Sequence, residues 1–176
     1  MKVILRMTLV LFALLLGAAV HEAQAETIQA TLIGYEEVPS VSTVASGEFR
    51  AVINRNGDSI DYELSYSGLE GTVTQAHIHF GQLSVVGSIV IWLCQTGTNP
   101  SPVAGTPLCP QSGTVTGTVT ASDVIAANTT SQRILAGELA EVIRAIRAGA
   151  AYVNVHSTPL TQPGEIRGQI RASRRR

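Results

Sequence analysis

Gln75-Ala76-His77-Ile78-His79-Phe80-Gly81 decides how the rest of the chain is read. Ala76, Ile78 and Phe80 alternate with Gln75, His77 and His79, a period of two that predicts a strand with one apolar and one polar face. Both imidazoles then point the same way, roughly 6–7 Å apart along the strand. A second segment, Ala151-Tyr152-Val153-Asn154-Val155-His156, has the same form. Val153 and Val155 make its apolar face, and Tyr152, Asn154 and His156 its polar one. Laid side by side, the two strands would bring three histidines together on one polar surface.

Outward from these segments the same period recurs. Thr27 to Ile33 alternates into a first strand, and Gly34 to Ser40 breaks it at Pro39, which cannot donate to a ladder. Ser46–Ile53 and Ser59–Tyr66 flank Asn56-Gly57, a strong hairpin signal. In the loop after the first strand, Glu36 and Glu37 read as solvated acids. Ile89 to Leu93 is a continuous apolar run, the pattern of a strand covered on both sides. Gly113 to Thr120 predicts a further strand, and Gly164 to Ile170 the last one. Leu139, Val142, Ile143 and Ile146 fall at i, i+3, i+4 and i+7, which predicts one helix over about 137–148, with Gly149 as its C-terminal cap. Glu141 and Arg144 are spaced to pair on it. A shorter turn near Ser122 would be capped by that serine. Seven or eight short strands and one helix predict an all-β sandwich or barrel with one packed helix.

The N-terminus predicts export. Lys2 and Arg6 precede the apolar run Met7 to Val20, and Ala23-Gln24-Ala25 supplies a small-x-small cleavage site. Cleavage after Ala25 removes a signal peptide of residues 1–25, His21 included, and leaves a single domain over 26–171 with a basic tail at 172–176. The mature protein is then periplasmic or secreted, with no remaining segment long and apolar enough for a membrane span. It carries ten arginines, no lysine and twelve acidic residues, a formal net charge of −2. That balance argues against nucleic acid as a partner, and the lack of lysine excludes Schiff-base, Ser-Lys and P-loop chemistry. No nucleophile elbow is present, so no catalytic residue is assigned. Cys94 and Cys109 are the two cysteines, read as a disulfide in an oxidising compartment, with a pair of metal-ligand thiols as the rival. In the chain-entropy model the bridge contributes about 3 kcal/mol.

Several of these pieces resemble the CHRD domain, a module of chordin and of exported bacterial proteins. They are Glu37-Val38-Pro39, Ala76-His77-Ile78-His79-Phe80-Gly81, the helix ending Arg147-Ala148-Gly149, Ala151 to Ser157, and Gly164-Glu165-Ile166-Arg167-Gly168-Gln169. The resemblance covers nearly the whole mature chain in the family's order. It implies an immunoglobulin-like, Greek-key β-sandwich or barrel, and it implies no common activity. More loosely, a His-x-His strand with a third histidine from a distant strand resembles the copper site of copper–zinc superoxide dismutases. Three histidines are too few for that enzyme's two metals.

Three readings are thus ranked. First is a transition-metal site at His77, His79 and His156, copper favoured, since imidazole suits copper and zinc and copper binds more tightly. Tyr152, Asn154, Glu165 and Arg167 would support it, Glu165 by orienting a histidine; the rival role for Glu165 is a cross-strand ion pair with Arg167. Second is a non-catalytic interaction module for an unknown protein partner, with structural histidines. Dismutase-like redox activity is third.

Overall fold

The computed structural model describes residues 24–129, 131–160 and 162–173. The expected signal sequence up to residue 23 and the arginines 174–176 lie outside them. Among the described residues nine strands form: β1 (Glu26–Ile33), β2 (Ser46–Ile53), β3 (Ile60–Ser67), β4 (Val73–Phe80), β5 (Ser88–Cys94), β6 (Gly113–Val119), β7 (Ala151–Ser157), β8 (Ile166–Gln169) and β9 (Arg171–Ala172). One helix, α1, spans Leu139–Arg147. All pairings between strands are antiparallel, in the order β5-β4-β7-β8-β1-β2-β3-β6, with β9 beside β1. The result is a nearly closed antiparallel barrel, as the alternating sequence predicts.

Alternation carries through to burial. In β1, β2 and β3 every second residue is buried, among them Ile28, Leu32, Phe49, Ile53, Ile60 and Leu64. The β2–β3 hairpin turns at Asn56-Gly57 and pairs in register from Ser46 opposite Ser67 to Ile53 opposite Ile60.

The barrel closes between its end strands, β5 and β6, without a ladder. Tyr62 on β3 donates its hydroxyl to the Leu93 carbonyl of β5 at 2.6 Å, and Tyr66 donates to Pro110 at 2.6 Å. Burial, with the Asp123 charge, pushes the Tyr62 phenol up to about 12, so it remains a donor. Val124 bridges Ile91, and the Ile125 amide reaches the Val90 carbonyl at 3.0 Å. These contacts occupy polar groups that an open sheet edge would offer to another chain. Cys94 and Cys109 lie at disulfide distance, S–S 2.05 Å, and tether the loop between the two end strands.

The helix buries Leu139, Val142, Ile143 and Ile146 as one stripe and packs on β7 and β9. Gly149 follows its end with φ of +71°, a conformation side chains with a Cβ disfavour. Glu141 and Arg144 pair on its exposed side, Nε to Oε2 3.1 Å. The turn near Ser122 is capped differently from expectation. Its 3-10 turn is Ala121–Asp123, and Thr120 forms a capping box with Asp123. Thr120, two positions before Ser122, has the extended backbone from which its side chain can reach the turn.

Replacing Ile143 by Ala should lower stability by about 2–5 kcal/mol, because the residue is fully buried in the helix–sheet contact. Replacing Arg144 by Ala should change it by less than about 1 kcal/mol. Denaturant midpoints of the two variants check both; equal midpoints would mean that the stripe is not packed.

Candidate metal centre

Register places the site. In the β4–β7 pair, Gln75 faces His156, His77 faces Asn154 and His79 faces Tyr152. In the β7–β8 pair, Asn154 faces Arg167 and Tyr152 faces Gln169. These residues share one face of three adjacent strands, and Ala76, Ile78, Val153, Val155 and Ile166 turn the other way into the core. On the far side of β4, Trp92 faces His77, with a register irregularity on either side of His77-Ile78.

This polar face is not a surface. His77, His79 and His156 are 0%, 7% and 2% exposed, and all seven residues of β7 are buried. Chain segments cover it from three sides. Gly81 and Gly149 accept hydrogen bonds from the Gln169 amide at 3.0 and 2.7 Å, and Gln82 accepts one from Arg167 Nη2 at 3.1 Å. Pro163 accepts one from Asn154 Nδ2 at 3.1 Å. Glu36 Oε2 accepts the Gln169 backbone amide at 3.2 Å, docking the first loop onto β8. Alternation fixed which way the histidines point; the loops that then bury them carry no two-residue period.

Each histidine offers one ring nitrogen to a group whose members all lie within 4.8 Å of one another. Nitrogens on a common metal with bonds near 2.0–2.1 Å sit roughly 3.3–3.6 Å apart, so sub-ångström ring shifts convert the cluster to a coordination set. His79 Nδ1 lies 2.9 Å from the Gly87 carbonyl. Donation to that carbonyl puts the proton on Nδ1 and leaves the Nε2 lone pair for a ligand. The same Gly87 donates its amide to the Tyr152 hydroxyl at 3.2 Å, and Tyr152 stacks on His79 at 4.6 Å and 7°. A Cβ on Gly87 would collide with the Phe80 carbonyl oxygen, so this double contact requires glycine. His77 stands perpendicular to Trp92 at 4.4 Å, and both its ring nitrogens are buried without a hydrogen bond. Buried polar atoms of that kind are rare and call for a water or an ion.

Electrostatics keep His77 and His79 neutral. Burial, then the His156 and His79 charges, holds His77 well below the usual imidazole range. Burial pushes His79 down to about 4, with His156 and Arg167 acting the same way against its hydrogen bonds. Neutral imidazole is the ligand form.

Tyr152, Asn154 and Arg167 stand in the same layer as the histidines, the Arg167 guanidinium 3.4 Å above the Tyr152 ring centre. Glu165 lies elsewhere. It is fully buried, and it accepts hydrogen bonds from Thr43 Oγ1 at 2.7 Å, the Glu70 amide at 2.8 Å and the Ser157 hydroxyl. These bonds tie three connecting segments together; none of them reaches a histidine or Arg167. It sits just before β8, where the two-residue alternation no longer sets its direction.

Sequence reasoning missed Trp92, Gly87 and Glu37. Glu37, expected in solvent, is 3% exposed and lines a cavity of about 130 Å³ with His79, His156 and Arg167. The 3-10 turn Gly34–Glu36 folds the chain back, with the amides of Glu37 and Val41 on the Gly34 carbonyl, and so carries the acid inward. Burial pushes its carboxyl up to about 7 against the Arg167 charge and bonds from Asn154 and Val38. Its place in Glu37-Val38-Pro39 was the available signal; charge alone suggested exposure.

Acid should destabilise the metal-free fold. Between about pH 6.5 and 4 the unfolded chain protonates His77 and His79 while the folded chain resists, so stability falls as pH drops. Glu37 opposes this, since its folded carboxyl keeps its proton up to about 7 and the unfolded one releases it near 4.5. The histidines and Glu37 thus act in opposite directions, and Glu37→Gln should steepen the loss of stability on acidification. Denaturation of both proteins at several pH values across 5 to 6.5 measures the slopes, and a slope of opposite sign would contradict the burial.

Comparison with curated proteins and with solved structures finds no match to this chain. The family model described as CHRD domain matches residues 28–170, from the first core residue of β1 to the end of β8 and just beyond. With that match spanning the barrel, its helix and the three-histidine layer, the chain belongs to the CHRD domain family.

Proposed function

We propose that this is an exported CHRD-domain protein that binds one transition-metal ion through His77, His79 and His156. The observation that carries the proposal is the buried cluster itself: three buried imidazoles with ligand atoms within 4.8 Å, His77 lacking any hydrogen bond at either nitrogen. Among the described residues no thiolate or carboxylate joins the group. An all-imidazole set suits copper and zinc, and copper has the higher intrinsic affinity. Tyr152 and Gly87 would fix the orientation of His79, and Trp92 would shield His77 from solvent. A non-catalytic interaction module is the second reading, drawn from Leu83, Val85 and Val86, which are exposed at 53%, 41% and 61% on the loop covering the site.

Calorimetric titration of the metal-free mature protein with copper and with zinc should give one ion per chain, copper the tighter. His156→Ala should weaken binding by more than about a hundredfold, beyond what loss of a supporting hydrogen bond costs a metal site. Because His79 stays neutral down to about 4 in the folded protein, affinity should hold at pH 6, where a surface His-x-His pair would already lose ions to protons. Weak binding shared by wild type and His156→Ala would leave the interaction module, for which histidine replacements cost only about 1 kcal/mol of stability.

Export makes a separate expectation. Protein recovered from outside the cytoplasm should begin at Glu26 and have an intact mass lighter than the reduced chain by the two hydrogens of a Cys94–Cys109 bond.

A further inference from the structure

We infer that the cavity beside the three histidines binds a small planar oxyanion of the carboxylate or bicarbonate class, held by the Arg167 guanidinium. Arg167 is 1% exposed, one of the largest fully buried side chains in the protein. A guanidinium stays charged in proteins, and a buried charge is costly unless an opposite charge and hydrogen bonds meet it. Here they do so only in part. Nη2 donates to the Gln82 carbonyl at 3.1 Å and the plane rests on Tyr152, and Nε is buried without a hydrogen bond. Among the described residues no carboxylate forms a salt bridge with it. Glu37 and Glu36 act on Arg167 through their charge, but among the described residues neither carboxylate hydrogen-bonds the guanidinium, and Glu37 Oε1 in the cavity is itself without a hydrogen bond.

The cavity supplies the complement. Arg167, Glu37, Tyr152, His79 and His156 line a volume of about 130 Å³. An engineered cavity of about 150 Å³ in another protein admits benzene, so this volume fits formate, acetate or bicarbonate and leaves no room for a substituted ring. Arg N–H groups match a planar carboxylate in a fork that a spherical halide cannot use. The inference stands apart from the metal reading, since Arg167 is not one of the three ligands and the site needs no ion to be tested.

Metal-free mature protein titrated with sodium formate at constant ionic strength is the test, followed by calorimetry and by backbone amide shifts. Saturable binding of one formate per chain is expected, with shifts centred on Glu37, Tyr152 and Arg167. Arg167→Met should weaken it by about tenfold or more, and benzoate should not compete. No saturable binding, shifts centred on exposed Arg147 or Arg171, or benzoate binding as tight as formate would overturn the inference. Should Arg167→Met fail to fold, the wild-type shift map and the benzoate competition decide. Copper binding is measured separately, so either result can fail without the other.

Discussion

Antiparallel pairing of β4 with β7 is the contact on which the rest depends. It joins two strands far apart in sequence and, through a single register, sets Gln75, His77 and His79 against His156, Asn154 and Tyr152. A slip of one residue on β7 would send His156 into the core and Val155 into the polar layer. The core residues therefore hold the site: Ile78, Val153 and Val155, all fully buried, exclude any register shifted by one residue, which would turn apolar groups out of the core. Packing energy of the inner face thus positions the chemistry on the outer one.

Burying the outer face has a cost that shapes what surrounds it. A buried polar group left without a partner loses about 1–3 kcal/mol, and this layer holds several polar side chains on three strands. The covering loops offset most of it through backbone carbonyls of Gly81, Gln82, Gly87, Gly149 and Pro163. Carbonyl acceptors suit amide, guanidinium and imidazole donors, which is why Asn154, Gln169, Arg167 and His79 fit beneath them. Buried atoms without a hydrogen bond remain on His77, His79, Asn154, Arg167 and Gln169 and on Glu37 at the cavity wall, with His77 lacking one at both nitrogens. Buried polar atoms left without a partner are rare, and several of them here share one layer with three histidines whose ligand atoms lie within 4.8 Å of one another.

Closure of the barrel obeys a different logic. β5 carries Trp92 against His77, and it is also one end of the strand order. An end strand free to fray would loosen that wall. Tyr62, the 124–125 segment and the Cys94–Cys109 bridge all act on β5, so the strand that walls the histidines is held at an edge where no ladder partner exists. Tyr62 does this with a single hydrogen bond because its ring is already packed in the core.

By itself the sequence determined the strands, the helix stripe and the direction in which each histidine points, because the two-residue and 3.6-residue periods are local consequences of backbone geometry. It offered Cys94 and Cys109 as a disulfide or as metal-ligand thiols, and the structure places them at disulfide distance. Only the tertiary structure decided that the polar face is enclosed. Period two says that His77, His79 and His156 lie opposite the core and says nothing of what lies over them. Glu37 and Glu165 show the same limit. Both are acids outside the strands, where the chain has left the ladder and its direction is set by contacts with distant segments. One turns into the cavity because a 3-10 turn folds back on Gly34; the other turns to Thr43, Glu70 and Ser157 because it stands one residue outside β8. Charge gave the sequence reading an exposed loop and a histidine partner, and long-range burial, which no local pattern encodes, assigned the two carboxylates otherwise.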